Sequence, residues 1–233
     1  MITKNLSKFA EENWECYKVS VTKASESKPG VSLVNSDEAI YCFDSICKSL
    51  FLGRDSSTSA DGLQFYKNNI ELVEFKSGFR QKISKEKFDP AKGLCPDPEG
   101  PKKVCEYYWD LFWKLRDKEK SELIASIRDK AIESYMLLEK HLFPSCEESE
   151  PGKTSQMILT VVVDEDGVEG LEDTLAELAK AEPKSDNCFV SIRQALNRLV
   201  NRRDANGVSY FYDRIEVLSA TDFSNRLKQR SQM

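Results

Sequence analysis

Residues 61 to 78, DGLQFYKNNIELVEFKSG, constrain the fold of this chain more than any other stretch: two β-rich runs meet at Lys67-Asn68-Asn69. Asparagine tolerates the backbone of a tight turn, and aromatic and β-branched side chains suit a pleated surface. The pattern therefore predicts a hairpin with strands near 61–66 and 70–76. In the second run Ile70, Leu72, Glu74 and Lys76 share one face, while Val73 and Phe75 lie on the other. A strand that begins apolar on both faces is an interior strand. Glu74 and Lys76 are thereby carried into partly desolvated surroundings, which is costly unless they are paired, hydrated or bound to a cation.

The surrounding chain predicts layers on either side of this hairpin. Ser36 followed by DEAIYCFDSICKSLF places apolar residues at 39, 40, 43, 46, 47 and 50, a helical period over roughly 37 to 51. Residues 88 to 103 contain four prolines and form an irregular insertion. A short aromatic helix at 103 to 116 and an amphipathic helix at 121 to 141 follow. MILTVVVD then supplies a strand at 157 to 163, LEDTLAELAKAE and FVSIRQALNRLVNRR two more helices, and VSYFYDRIEVLS a strand after Asn206-Gly207. TDFSNRLKQR closes the chain as a helix capped by Thr221. Alternating helices and strands predict an α/β or mixed α+β fold, one domain of 233 residues whose mixed sheet of about four to five strands is flanked by helices.

Turn chemistry then supplies a third charge. A two-residue turn at Asn68-Asn69 sets Lys67 opposite Ile70, Leu63 opposite Glu74 and Asp61 opposite Lys76, so Asp61, Glu74 and Lys76 converge on one face. Opposed Cβ atoms lie about 4.5 to 5.5 Å apart and diagonal ones about 7 to 8 Å, close enough for two carboxylates to share one divalent cation. Carboxylate oxygens are hard ligands for Mg²⁺ or Mn²⁺, the cation neutralises a phosphodiester under attack, and a lysine beside it orients or helps deprotonate the attacking water. The structural alternative is a ladder pair between Glu74 and a neighbouring lysine, worth under ~1 kcal/mol. Metal-assisted chemistry of this kind needs no histidine. His141 is the chain's one histidine, which excludes multi-histidine zinc sites, and it follows a lysine at the end of a helix, where the dipole favours it.

Asp61-Gly62-Leu63, the thirteen-residue step to Glu74, and Glu74-Phe75-Lys76-Ser77-Gly78 together resemble the D…E-x-K signature of the PD-(D/E)xK nuclease superfamily. The resemblance covers about 36 to 80 by motif and extends loosely to 119–164, where a helix and a strand follow the lysine. It implies a restriction-endonuclease-like fold and Mg²⁺-dependent cleavage of DNA or RNA. Asp61 and Glu74 are then metal ligands, Lys76 stands beside the water, and Glu38 of the first helix is an additional acid. The chain departs from the pattern in having Ala60 before the aspartate and no Q-x-x-x-Y helix; IRDKAIESY offers only Lys130 and Ser134 on one face. Proteins of this shape also include some that have lost cleavage, so the alternative is a non-catalytic module of the same fold that binds nucleic acid or protein.

Charge and cysteine content set the expected partners and compartment. The net charge of −5 is uneven: residues 76–103 and 189–233 are each +4, leaving −13 elsewhere. Two basic segments on an acidic body suit a phosphate-binding groove or a solvated surface. Arg80, Lys82, Lys85 and Lys87 are candidates to grip phosphates. Tyr107, Tyr108, Trp109, Phe112 and Trp113 either stack bases, form a homodimer or protein-partner face, or pack on the sheet. Seven cysteines without a C-x-x-C pair suit reduced thiols, Cys42 and Cys47 among them as packing residues. The polar N-terminus and the short apolar run Met157–Val163, broken by Thr160, predict no signal or membrane span, hence a cytoplasmic protein.

Overall fold

The computed structural model describes residues 2–50, 58–77, 102–145, 156–164, 188–201, 205 and 211–232. Helix α1 (Ile2–Asn13) leads into β1 (Lys18–Ser20), the single-turn α2 (Val21–Ala24) and a small ribbon of β2 (Glu26–Lys28) and β3 (Val31–Ser32). Then follow β4 (Ala39–Cys42), α3 (Phe43–Leu50), β5 (Gly62–Tyr66), β6 (Asn69–Lys76) and the long α4 (Lys102–Leu137). The chain continues through β7 (Gln156–Val163), α5 (Cys188–Asn201), β8 (Arg214–Ser219) and α6 (Ala220–Ser231).

Among the described residues the main sheet has six strands in the order β1-β4-β5-β6-β7-β8. Its first four strands pair antiparallel, and β6 with β7 and β7 with β8 pair parallel, so the fold is mixed α/β. Six strands exceed the four to five expected because β1, too short to read from the sequence, and β4, read there as helix, both join the sheet at its edge. β6 lies between β5 and β7 and is buried from Ile70 through Phe75, as its two apolar faces require. On one face Ile70 and Leu72 join Leu63, Leu159 and Val161 beneath Ile127 and Ala131 of α4 and Ile192 and Leu196 of α5. On the other, Val73, Phe75 and Val162 meet Phe223 and Leu227 of α6, with the Phe75 and Phe223 rings edge to face at 5.7 Å.

The hairpin turns one residue earlier than expected. Lys67, not an asparagine, takes the left-handed conformation at φ 56°, and Tyr66 pairs with Asn69. Leu63 therefore faces Leu72 and Gly62 faces Val73, and continuing that ladder sets Asp61 across from Glu74 rather than Lys76. The register differs by two, an even number, so every side chain keeps its expected face. Gly62 stands where this meander is tightest: a Cβ there would lie 2.3 Å from Ile40 Cδ1 and 3.0 Å from Cγ1. Ile40 can yield only by repacking, so Gly62→Ala is expected to cost about 1–3 kcal/mol in denaturant unfolding. An unchanged midpoint would show that the Ile40 side chain turns aside without cost.

Several local expectations give way to tertiary pairing. Residues 37–51 do not form one helix: Ala39–Cys42 is a strand between β1 and β5, and the helix begins at Phe43. The helical spacing of Ile40, Phe43, Ile46 and Cys47 is real, but backbone partners on both sides outweigh it for the first turn. The helices expected at 103–116 and 121–141 are one rod, since RDKEKS between them contains no breaker, and it closes in a π-helical turn at Leu138–Leu142 that carries His141. Ser219, two residues before Thr221, caps α6 by accepting from Asp222 N at 3.0 Å. Cys42 lies on β4 and Cys47 packs in the core, where burial pushes its thiol up to about 12, so it is no nucleophile at neutral pH. The proline-rich segment up to residue 101, the basic residues Arg80, Lys82, Lys85 and Lys87, and the helix expected at 171–182 lie outside the described residues. Among the described residues no helix is long and apolar enough to cross a membrane.

Candidate active site

Asp61 is held from three directions at the mouth of β5. Its backbone carbonyl accepts from Phe43 N at 3.1 Å, at the start of α3. Its carboxylate Oδ2 accepts from Phe75 N at 2.7 Å, where the ladder between β5 and β6 has just ended. One residue earlier, Ala60 N donates to Ser134 Oγ of α4 at 2.7 Å. These bonds aim the remaining oxygen, Oδ1, toward α4.

Glu74 reaches the same place from β6. Its side chain is 2% exposed, and Oε1 lies 2.8 Å from Lys76 Nζ and 2.9 Å from Lys130 Nζ. Lys130 Nζ also donates to Glu74 Oε2 at 3.2 Å and to Asp61 Oδ1 at 3.4 Å. One ammonium thus touches both carboxylates. Asp61, Lys130 and Lys76 are 27%, 23% and 17% exposed, so the cluster opens to solvent on one side while Glu74 forms its floor.

Helix α4 supplies the roof because Lys130 and Ser134 are four residues apart on one face, next to Ile127 and Ala131 in the core. Tyr212, wholly buried, locks this turn by donating its hydroxyl to Ala131 O at 2.6 Å. The helix is therefore pinned through the turn that follows Lys130.

Electrostatics make the cluster attractive to positive charge. Burial pushes the Glu74 carboxyl above the usual carboxylate range and Asp61 adds to this, with Lys76 and Lys130 pulling the other way and not prevailing. Burial works against the charge on Lys130, but Glu74 and Asp61 outweigh it and hold the ammonium above its ordinary value. Both shifts say that the folded site holds protons tightly. Glu74 Oε1 is buried against two ammonium groups, Lys76 Nζ at 2.8 Å and Lys130 Nζ at 2.9 Å. Among the described residues no group of three or more His, Cys, Asp or Glu side chains gathers, and Asp61 and Glu74 are the two carboxylates that meet at Lys130.

The structure brings Asp61, Glu74 and Lys76 together, and it leaves Glu38 elsewhere. Glu38 belongs to no helix; it precedes β4, is exposed, and accepts from Ser231 Oγ of α6, the helix that packs on the sheet face opposite Glu74. Lys130 is the residue that sequence reasoning undervalued. Its signal was a lysine and a serine four apart, flanking an otherwise apolar stripe. The aromatic side chains from Tyr107 to Trp109, with Phe112 and Trp113, lie outside the described side chains, although Leu111 and Leu115 on the same segment of α4 are exposed. In comparison with known proteins, no family model, no curated protein and no solved structure matches the chain.

Proposed function

We propose that this chain is a divalent-metal-dependent nuclease of the PD-(D/E)xK type, hydrolysing phosphodiester bonds in DNA or RNA. The observation that carries the reading is the meeting of Asp61 and Glu74 at a single ammonium, with Lys76 bound to the same glutamate, at the open end of a buried hairpin. Topology supports it: the antiparallel meander β4-β5-β6 is followed by α4 and by β7 parallel to β6, the succession of helix and strand after the lysine that the restriction-endonuclease-like fold has.

Asp61 and Glu74 are the residues to hold Mg²⁺ or Mn²⁺, which supplies charge neutralisation at the phosphate and a water of lowered pKa. The chain's own contribution is positioning. Phe75 N fixes Asp61, the floor of the site fixes Glu74, and Lys76 Nζ, anchored on Glu74, keeps N–H bonds to orient the attacking water against the phosphorus. Low exposure of Glu74 and Lys76 limits competing solvent, which strengthens each of these interactions.

Incubation of the purified chain with single- and double-stranded DNA and RNA tests the reading. Cleavage with Mg²⁺ or Mn²⁺ that stops on chelation is the expected result. Nucleic-acid binding without hydrolysis under any divalent metal would overturn it in favour of a non-catalytic module on the same scaffold.

A further inference from the structure

We propose that Lys130 is the internal counter-cation of this site: its ammonium holds the position between Asp61 and Glu74 that a divalent ion takes, and the ion binds by displacing it. The inference rests on the metal assignment in the nuclease reading and adds a control step to it.

Geometry forces the competition. Lys130 Nζ is 3.4 Å from Asp61 Oδ1 and 2.9 Å from Glu74 Oε1, so it already occupies the oxygens a metal needs. Mg²⁺ binds carboxylate oxygens at about 2.0 to 2.1 Å, and the ammonium that touches both carboxylates stands where an ion bridging them would sit. Charge balance gives the same answer. Two carboxylates against Lys76 and Lys130 are neutral, and a divalent ion added to all four leaves a net +2 in a cluster whose floor is buried.

Lys130, rather than Lys76, is the group free to leave. Glu74 and Lys76 are two residues apart on one strand, and the pair survives any movement of α4. Lys130 reaches in from the helix on a flexible four-carbon stem and is 23% exposed, the higher figure of the two lysines. The helix itself stays, because Ser134 and Ala131 bind Ala60 and Tyr212. Displacement therefore swings a side chain toward the open mouth, where its charge meets the phosphate backbone of a bound nucleic acid. Substrate that recruits this ammonium favours metal entry, so metal and nucleic acid bind cooperatively.

Mn²⁺ titration of the full chain, by calorimetry and electron paramagnetic resonance, together with thermal unfolding with and without Mn²⁺, tests the role. Lys130→Met is expected to bind Mn²⁺ about tenfold more tightly than the natural chain, through loss of one like charge. Its metal-free Tm should be lower and its Mn²⁺-induced rise in Tm larger. Lys130→Gln serves should the methionine variant fail to fold, and adding Asp61→Asn should abolish the gained affinity. Equal or weaker Mn²⁺ binding by the Lys130 variants, beside a natural chain that binds, overturns the counter-cation role and leaves the metal site standing. Binding by the variant alone supports the proposal, whereas no binding by either chain overturns the metal site together with it.

Discussion

Glu71→Ala is expected to lower the free energy of unfolding by about 3–5 kcal/mol, the cost of breaking a buried ion pair from one side. Glu71 is wholly buried on the α6 face of β6. Its Oε1 meets the Arg226 guanidinium and the Thr160 hydroxyl, and its Oε2 accepts from Arg230 Nη1 at 2.7 Å and Gln64 Nε2 at 2.8 Å. Truncation would take the buried carboxylate from two guanidinium groups that are only 19% and 16% exposed. Arg226 keeps Glu216 and its stacking on Phe223, and Arg230 keeps Tyr66, but none of these neighbours brings a second buried charge. For a chain of this size the loss corresponds to a drop in Tm on the order of 6–20 °C. Exchanging Glu71, Arg226 and Arg230 together for apolar residues of similar volume should recover much of it. A Glu71→Ala midpoint within error of the natural one would show that α6 is held by Phe223 and Leu227 alone.

The same cluster sets the response to acid. Burial pushes the Glu71 carboxyl up, but Arg226 and Arg230, with the hydrogen bond from Thr160, outweigh it and hold the group below the usual carboxylate range. A group depressed in the folded state adds stability that is present above the unfolded pKa, about 4.3, and is lost as pH falls through the folded value. Unfolding midpoints of the natural chain should therefore fall below about pH 4.3, and Glu71→Ala should show a shallower decline over the same window.

On the proposed nuclease reading, Asp61→Asn and Glu74→Gln are each expected to abolish Mn²⁺ binding and nucleic-acid cleavage together, because a metal held by these two carboxylates could not spare one. Lys76→Met should separate the two functions. On the nuclease reading it removes the group that would orient the water and keeps both ligands, so cleavage should fall about 10²- to 10⁴-fold while Mn²⁺ binding is kept or tightened, one positive charge being lost beside Glu74. Titration calorimetry beside a single-turnover cleavage assay distinguishes these patterns. Full activity in Lys76→Met, or metal binding that survives Asp61→Asn and Glu74→Gln combined, would sink the assignment of roles. On the same reading Glu74 sets a pH dependence: burial raises its carboxyl, so a proton would compete with the metal above the ordinary carboxylate range, and Mn²⁺ affinity should strengthen as pH rises there.

Strand alternation is a local rule, so the sequence by itself determined that β6 is interior, that Glu74 and Lys76 share a face with Ile70 and Leu72, and that Asp61 joins them. The turn was placed one residue late, yet the convergence survived because a two-residue change of register leaves every face unaltered. Only the tertiary structure decided the rest. Ala39–Cys42 carries helical spacing but becomes a strand because β1 and β5 offer it backbone partners on both sides. Lys130 lies 56 residues from Glu74 and Arg226 lies 155 from Glu71, and which helix covers which face of the sheet depends on the packing of whole elements. No periodicity within one segment encodes that choice, so the charges that meet across layers became visible only when the layers were in place.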